Sequence, residues 1–178
     1  MVTPVLVISL IVAVAVLIAF VLGYNKLRSA DVRADEALGG IDVQLSRRAS
    51  LIPGLVSAVQ SFAGHEKEVL GHVADAQVAL TTALAGKSVA QRSSAEHQFD
   101  GAVGQVLALG QNYPQLTSSN NFLNLQQNLA DTEDKLAFAR QYYNDAAATV
   151  NKLGSTIPWM FFAKMAGVGQ REFYQVPQ

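Results

Sequence analysis

The chain has 178 residues, half of them hydrophobic and only 15% charged, with a formal net charge of -1. The absence of cysteine excludes thiol catalysis, disulfides and thiolate metal sites, and the near-neutral balance without a basic, aromatic-interleaved tract excludes the electrostatic basis for nucleic-acid binding. Much of the apolar excess lies near the N-terminus, and the remainder is long enough for one domain with a real core.

Val5 to Leu22 is an uninterrupted apolar run in which Ser9 is the only polar side chain. At about 1.5 Å per residue it spans roughly 27 Å, close to the hydrocarbon thickness of a bilayer, and it reads as a transmembrane helix. A cleaved signal peptide is the competing reading. No Lys or Arg precedes the run, however, and no A-x-A-like site follows it. Lys26, Arg28 and Arg33 come directly after it, so the positive-inside rule puts the body on the cytoplasmic side and the N-terminus outside. The expected division is an anchor over 1–23, a helical body over 24–154 and an aromatic, membrane-proximal tail over 155–178.

From Tyr24 a helical stripe continues through Leu27, Ala34, Leu38, Ile41 and Leu45, so anchor and first body helix form one rod. Asp42 and Arg48 interrupt its apolar face. An ionised group on a core-facing stripe is costly to desolvate unless an opposite charge meets it, which predicts partners on a neighbouring helix. The alternative is that Arg48 snorkels to water along its stem. Pro53 costs the bond to the Ala49 carbonyl and predicts a kink, with Ser50 placed to relieve it. The rod is expected to end near Ala63-Gly64.

A second amphipathic helix runs from His65 to Ala85, and Gly86 and Ser88 mark the following turn. A third covers Val89 to Asn112 with Phe99, Val103, Val106 and Leu109 inward, and Tyr113-Pro114 ends it. The polar run Thr117 to Asn121 caps a long fourth helix reaching Leu153-Gly154, with Phe122, Leu125, Leu129, Leu136, Tyr143, Ala147 and Val150 as its stripe. Short loops favour an antiparallel up-down four-helix bundle with long helices 1 and 4.

In that arrangement helices 1 and 4 run side by side in opposite directions, and residues at one height share an index sum of about 181, set by Phe62 and Ser119 at the turn end. Arg48 with Glu133 and Asp42 with Arg140 satisfy the sum with opposite charges, so both are expected as interhelix ion pairs. Helices 2 and 3 are too short to reach the membrane, which leaves a membrane-proximal stalk of two helices. Its small residues, Ala30, Ala34, Ala37, Ala146, Ala147 and Ala148, are expected to be partly wet and to serve as a self-association face. The same register puts Trp159, Phe161, Phe162 and Lys164 at the membrane surface, either entering the interface or folding back to cap the core.

The stretches IDVQLSRRASLIPGLVSAVQSFAGHE and YPQLTSSNNFLNLQQNLADTEDKLAFARQYYNDAAATVN, with the anchor ahead of YNKL, resemble the LemA family of bacterial membrane proteins. The resemblance implies a single-pass membrane protein with an antiparallel helical-bundle domain, relatives linked to building magnetosome membranes, and an association with a membrane-bound zinc protease. It carries no catalytic residues. The tail departs from the family pattern, with Gly167-Val168 ahead of Phe173-Tyr174 where a glycine-aromatic pair is usual.

The one constellation resembling a metal site is His65, Glu68 and His72 on one helix face; a metalloprotease H-E-x-x-H is excluded because Val69 stands where the second histidine is needed. No catalytic, cofactor-binding or metal residues are assigned, and no cofactor is expected. Two functions remain. One is a non-enzymatic, membrane-anchored scaffold that self-associates into a homo-oligomer and organises or shapes the bilayer surface. The alternative is an adaptor presenting an interhelical groove to a partner protein or peptide, such as another membrane protein or a membrane protease.

Overall fold

The computed structural model describes residues 2–62 and 67–175. Among them the regular structure is entirely helical: α1 (Val2–Ser50), α2 (Ile52–Gln60), α3 (Lys67–Ala85), α4 (Val89–Gly110), α5 (Pro114–Thr117), α6 (Asn120–Ser155) and α7 (Met160–Ala163). The expected cap at Ala63-Gly64 and helix start at His65 lie outside the described residues.

The long N-terminal helix runs unbroken through the apolar segment and on to Ser50. Its most apolar 18-residue stretch has a mean hydropathy of 3.4 and none of it is buried, so by length and composition it is able to cross a membrane. The interruption at Leu51 has the cause expected of Pro53, whose missing N–H leaves the Ala49 carbonyl without its helical donor. That carbonyl is satisfied from α3, where Gln77 Nε2 donates to it at 3.2 Å. Ser50 Oγ instead donates to the Arg47 carbonyl at 2.7 Å.

Helices α3 and α4 form a hairpin whose turn is fixed by Ser88, extended at φ -80° and ψ 122°, with its Oγ accepting the Gln91 N–H. Their inner faces bring Leu70, Val73, Leu80, Phe99, Val103 and Val106 out of water. Gly110 at the end of α4 is buried under Phe122, and a Cβ there would stand 2.9 Å from Phe122 Cζ, so the glycine allows the close approach.

The chain gathers into two compact units. One comprises residues 1–37 with 144–173, and the other residues 38–143 with 174–178. The divisions fall inside the two long helices. Segment 156–173 does not hang free; it belongs to the first unit. There the side-chain amide of Asn151 brackets the backbone of Arg171, donating to its carbonyl at 2.9 Å and accepting from its N–H at 2.8 Å. The Arg171 guanidinium donates to Asp31 at 3.0 and 2.5 Å and lies 2.7 Å from Asp35. Burial works against charge on Arg171, but Asp35 and Asp31 outweigh it and raise its pKa above the ordinary guanidinium value.

This packing corrects the expectation of a wet alanine stalk. Ala34 and Ala147 are 0% exposed, Ala37 and Ala146 are buried and Ala30 is half-buried; of the six alanines only Ala148 is open to water. Val168 of the tail is buried as well.

Candidate functional site

Two constellations stand out, one in each unit. In the second unit α1, α4 and α6 place charged side chains in the core. Arg48 Nη1 lies 2.6 Å from Glu133 Oε2 and 2.6 Å from Asp100 Oδ1. Arg140 donates to Glu133 Oε1 at 3.1 Å and to Glu96 Oε1. Glu96 is fully buried, and its second oxygen accepts the Tyr174 hydroxyl at 2.7 Å. The expected pairing of Asp42 with Arg140 is not present. Asp42 is held by both arms of the Arg92 fork, from Nε at 2.7 Å and Nη2 at 3.0 Å. The index sum fixes height along two helices but not which way each side chain turns, and α4 offers opposite charges at the same heights. A bidentate guanidinium satisfies both carboxylate oxygens at once.

The linked set thus holds three carboxylates, Glu96, Asp100 and Glu133, against two guanidinium groups, Arg48 and Arg140. Burial lifts the Asp100 carboxyl to about 6, the nearby Arg48 pulls it down less than burial pushes it up, and Glu96 and Glu133 add to the rise. Arg140 is opposed by burial, yet Glu96 more than offsets this and raises its pKa. Burial, then the charge of Glu96, pushes the Tyr174 phenol upward, so it stays protonated and donates. Tyr174 also meets Tyr143 edge to face, with ring centroids 6.4 Å apart.

The sequence reading missed Arg92, Glu96, Asp100 and Tyr174. The signal was nonetheless there: Arg92, Glu96, Phe99, Val103 and Val106 recur at spacings of four, three, four and three, so the two charges share the inward stripe of α4.

In the first unit the end of the apolar run is built around Gly23. Phe162 of α7 covers it so closely that a Cβ at Gly23 would stand 2.7 Å from the ring, and Phe162 meets Phe20 edge to face at 5.6 Å. Lys26 Nζ lies 4.6 Å over the Trp159 ring. Around this anchorage Ile157 (75%), Phe161 (65%) and Met165 (66%) are exposed, and Met160 and Lys164 face water too. Of the four residues expected at the interface, Trp159 and Phe162 are therefore half-buried against α1, whereas Phe161 and Lys164 are open.

A groove of about 550 Å³ between α3 and α4 is lined by His72, Asp75, Ala76, His97 and Gly101, among others. No three metal-ligating side chains converge among the described residues. His65 of the expected metal triad lies outside them, and Glu68 and His72 are exposed.

The LemA family model matches residues 37–178, which include the charged core and the tail. The chain belongs to the LemA family. Magnetosome protein MamQ of Magnetospirillum gryphiswaldense is 24% identical over 95% of this chain and 71% of its own length. Magnetosome proteins MamQ 1 and MamQ 2 of Paramagnetospirillum magneticum are each 23% identical over 96% of this chain and 71% of theirs.

Proposed function

We propose that this LemA-family chain is a non-enzymatic, single-pass membrane scaffold. Its body is an antiparallel four-helix bundle on the cytoplasmic side, and copies self-associate to organise or shape the bilayer surface. The observation that carries the reading is the exposed set Ile157, Met160, Phe161 and Met165, fastened through Phe162 to Gly23 at the end of the apolar span. Apolar side chains held beside a membrane-crossing helix are costly in water and favourable in the interfacial layer. Lys26 and Lys164 flank them with charge of the sign that anionic headgroups attract. Many copies would set many such wedges in one patch of membrane. The bundle is supported by the salt bridges that tie α1 to α4 and α6, and α4 to α6. The similarity to magnetosome proteins agrees with a role at a membrane.

The test is the native mass of the full chain in lipid, together with vesicle shape by electron microscopy. We expect a defined homo-oligomer and altered curvature, and loss of the curvature effect in an Ile157→Ser, Phe161→Ser variant. A monomeric wild type rejects the scaffold.

The groove between α3 and α4 favours a second reading, an adaptor for a partner protein or peptide. A monomer that co-purifies with another membrane protein, and loses it when Gly101 is changed to Trp, supports that reading instead.

A further inference from the structure

The segment after α7 ends in a finished receptor for a phenol. Tyr174 is 2% exposed, its ring is walled by Tyr143, and its hydroxyl meets a carboxylate whose other oxygen is already taken by Arg140. Beside it Ser93 Oγ donates to the Gln175 carbonyl at 3.0 Å. The occupant reaches this pocket through residues 168–175, which adopt no regular secondary structure. Gly167, in the left-handed region at φ +66°, and Gly169, where an added Cβ would meet nothing, bracket the start of that arm.

An empty pocket is not a comfortable state. Withdrawing Tyr174 leaves one Glu96 oxygen in the core without its donor, and unpaired buried acceptors are expensive. The arm of an identical neighbour relieves that cost without any new chemistry. Exchange of an arm between copies conserves every contact, so what opposes it is chiefly the high effective concentration of the chain's own arm. A membrane-crossing helix narrows that difference by confining copies to one plane. The alanine faces that seemed suited to self-association are covered within the chain, which leaves the arm as the element with both a hinge and a built destination.

We propose that copies of this chain associate by arm exchange, with Tyr174 of one copy seated between Glu96 and Tyr143 of its neighbour. This deepens the scaffold reading and rests on it.

The cysteine-free sequence makes the test direct. Full-length Ser93→Cys and Gln175→Cys variants, one of them tagged, are reconstituted together at high density in one bilayer and treated with a short bis-maleimide. Arm exchange is expected to give a cross-linked dimer carrying one of each chain. The product should be absent when Lys87→Cys replaces Ser93→Cys. A chain carrying both Ser93→Cys and Gln175→Cys reports whether the arm docks at all. Cross-links found only within that doubly substituted chain overturn the exchange. If native mass then still shows an oligomer, self-association stands and copies meet elsewhere; a monomer removes both readings.

Discussion

At the scale of single residues, the charged core is where the stability of the second unit is most exposed to substitution. Glu96 and Arg140 are both out of water, so Arg140→Met alone strands Glu96 and should cost on the order of 3 to 5 kcal/mol. Joining it to Glu96→Leu should cost much less than the sum of the two single changes, and urea denaturation of the four proteins in a double-mutant cycle measures the difference. Asp100 makes the same core sensitive to pH. Its folded-state value of about 6 lies above the ordinary 3.8, so the folded protein holds this proton more tightly than the unfolded chain does. The stabilisation from that proton is fully present below about pH 4 and is lost as pH rises through about 6, a span worth up to about 3 kcal/mol. Asp100→Asn should therefore flatten this part of the stability profile between pH 4 and 7, measured against wild type. A profile unchanged by the substitution places the titration elsewhere.

At the scale of elements, helices were legible wherever a stripe was long and clean. The fourth helix was expected to run from about Ser119 to Leu153-Gly154 and spans Asn120–Ser155, and Tyr113-Pro114 stops the third as its chemistry requires. Arg48 and Glu133 meet at the height the index sum gave, whereas Asp42 turns to α4, because sequence spacing carries no information about azimuth among three neighbouring helices. The tail was illegible for a different reason. Its order comes from contacts distant in sequence, such as Asn151 and Asp31 with Arg171 and Glu96 with Tyr174, and no local period encodes them. Gly23 tests how α7 is fastened. A Gly23→Val change drives a methyl into Phe162 and should lift α7 from α1, separating Lys26 from Trp159. Trp159 is the only tryptophan, so its emission reports the movement directly. An unshifted spectrum, with the helix content of wild type, would mean that α7 is held by other contacts.

At the scale of the whole molecule, the orientation of the body decides which leaflet the aromatic tail can meet. Lys26, Arg28 and Arg33 follow a span with no basic residue before it, and translocating such a cluster is unfavourable. Arg28 bonds Asp31 at 3.0 Å, but acidic partners count for little in this rule, so the bias survives the pairing. A cysteine placed at exposed Lys87 should therefore resist an impermeant maleimide in intact cells and react after lysis; labelling before lysis reverses the topology. The same leaflet then receives Ile157, Phe161 and Met165, and their depth is measurable through their neighbour Trp159. Lipids brominated on the acyl chains should quench Trp159 when the full-length chain sits in vesicles, because Phe162 fixes α7 at the level of Gly23, one residue past the apolar run. Quenching that is strong at shallow bromine positions and weak near the bilayer centre fits an interfacial wedge. Equal emission in brominated and ordinary lipid would instead place the tail against protein, and the exposed side chains would then have to be covered by another copy rather than by lipid.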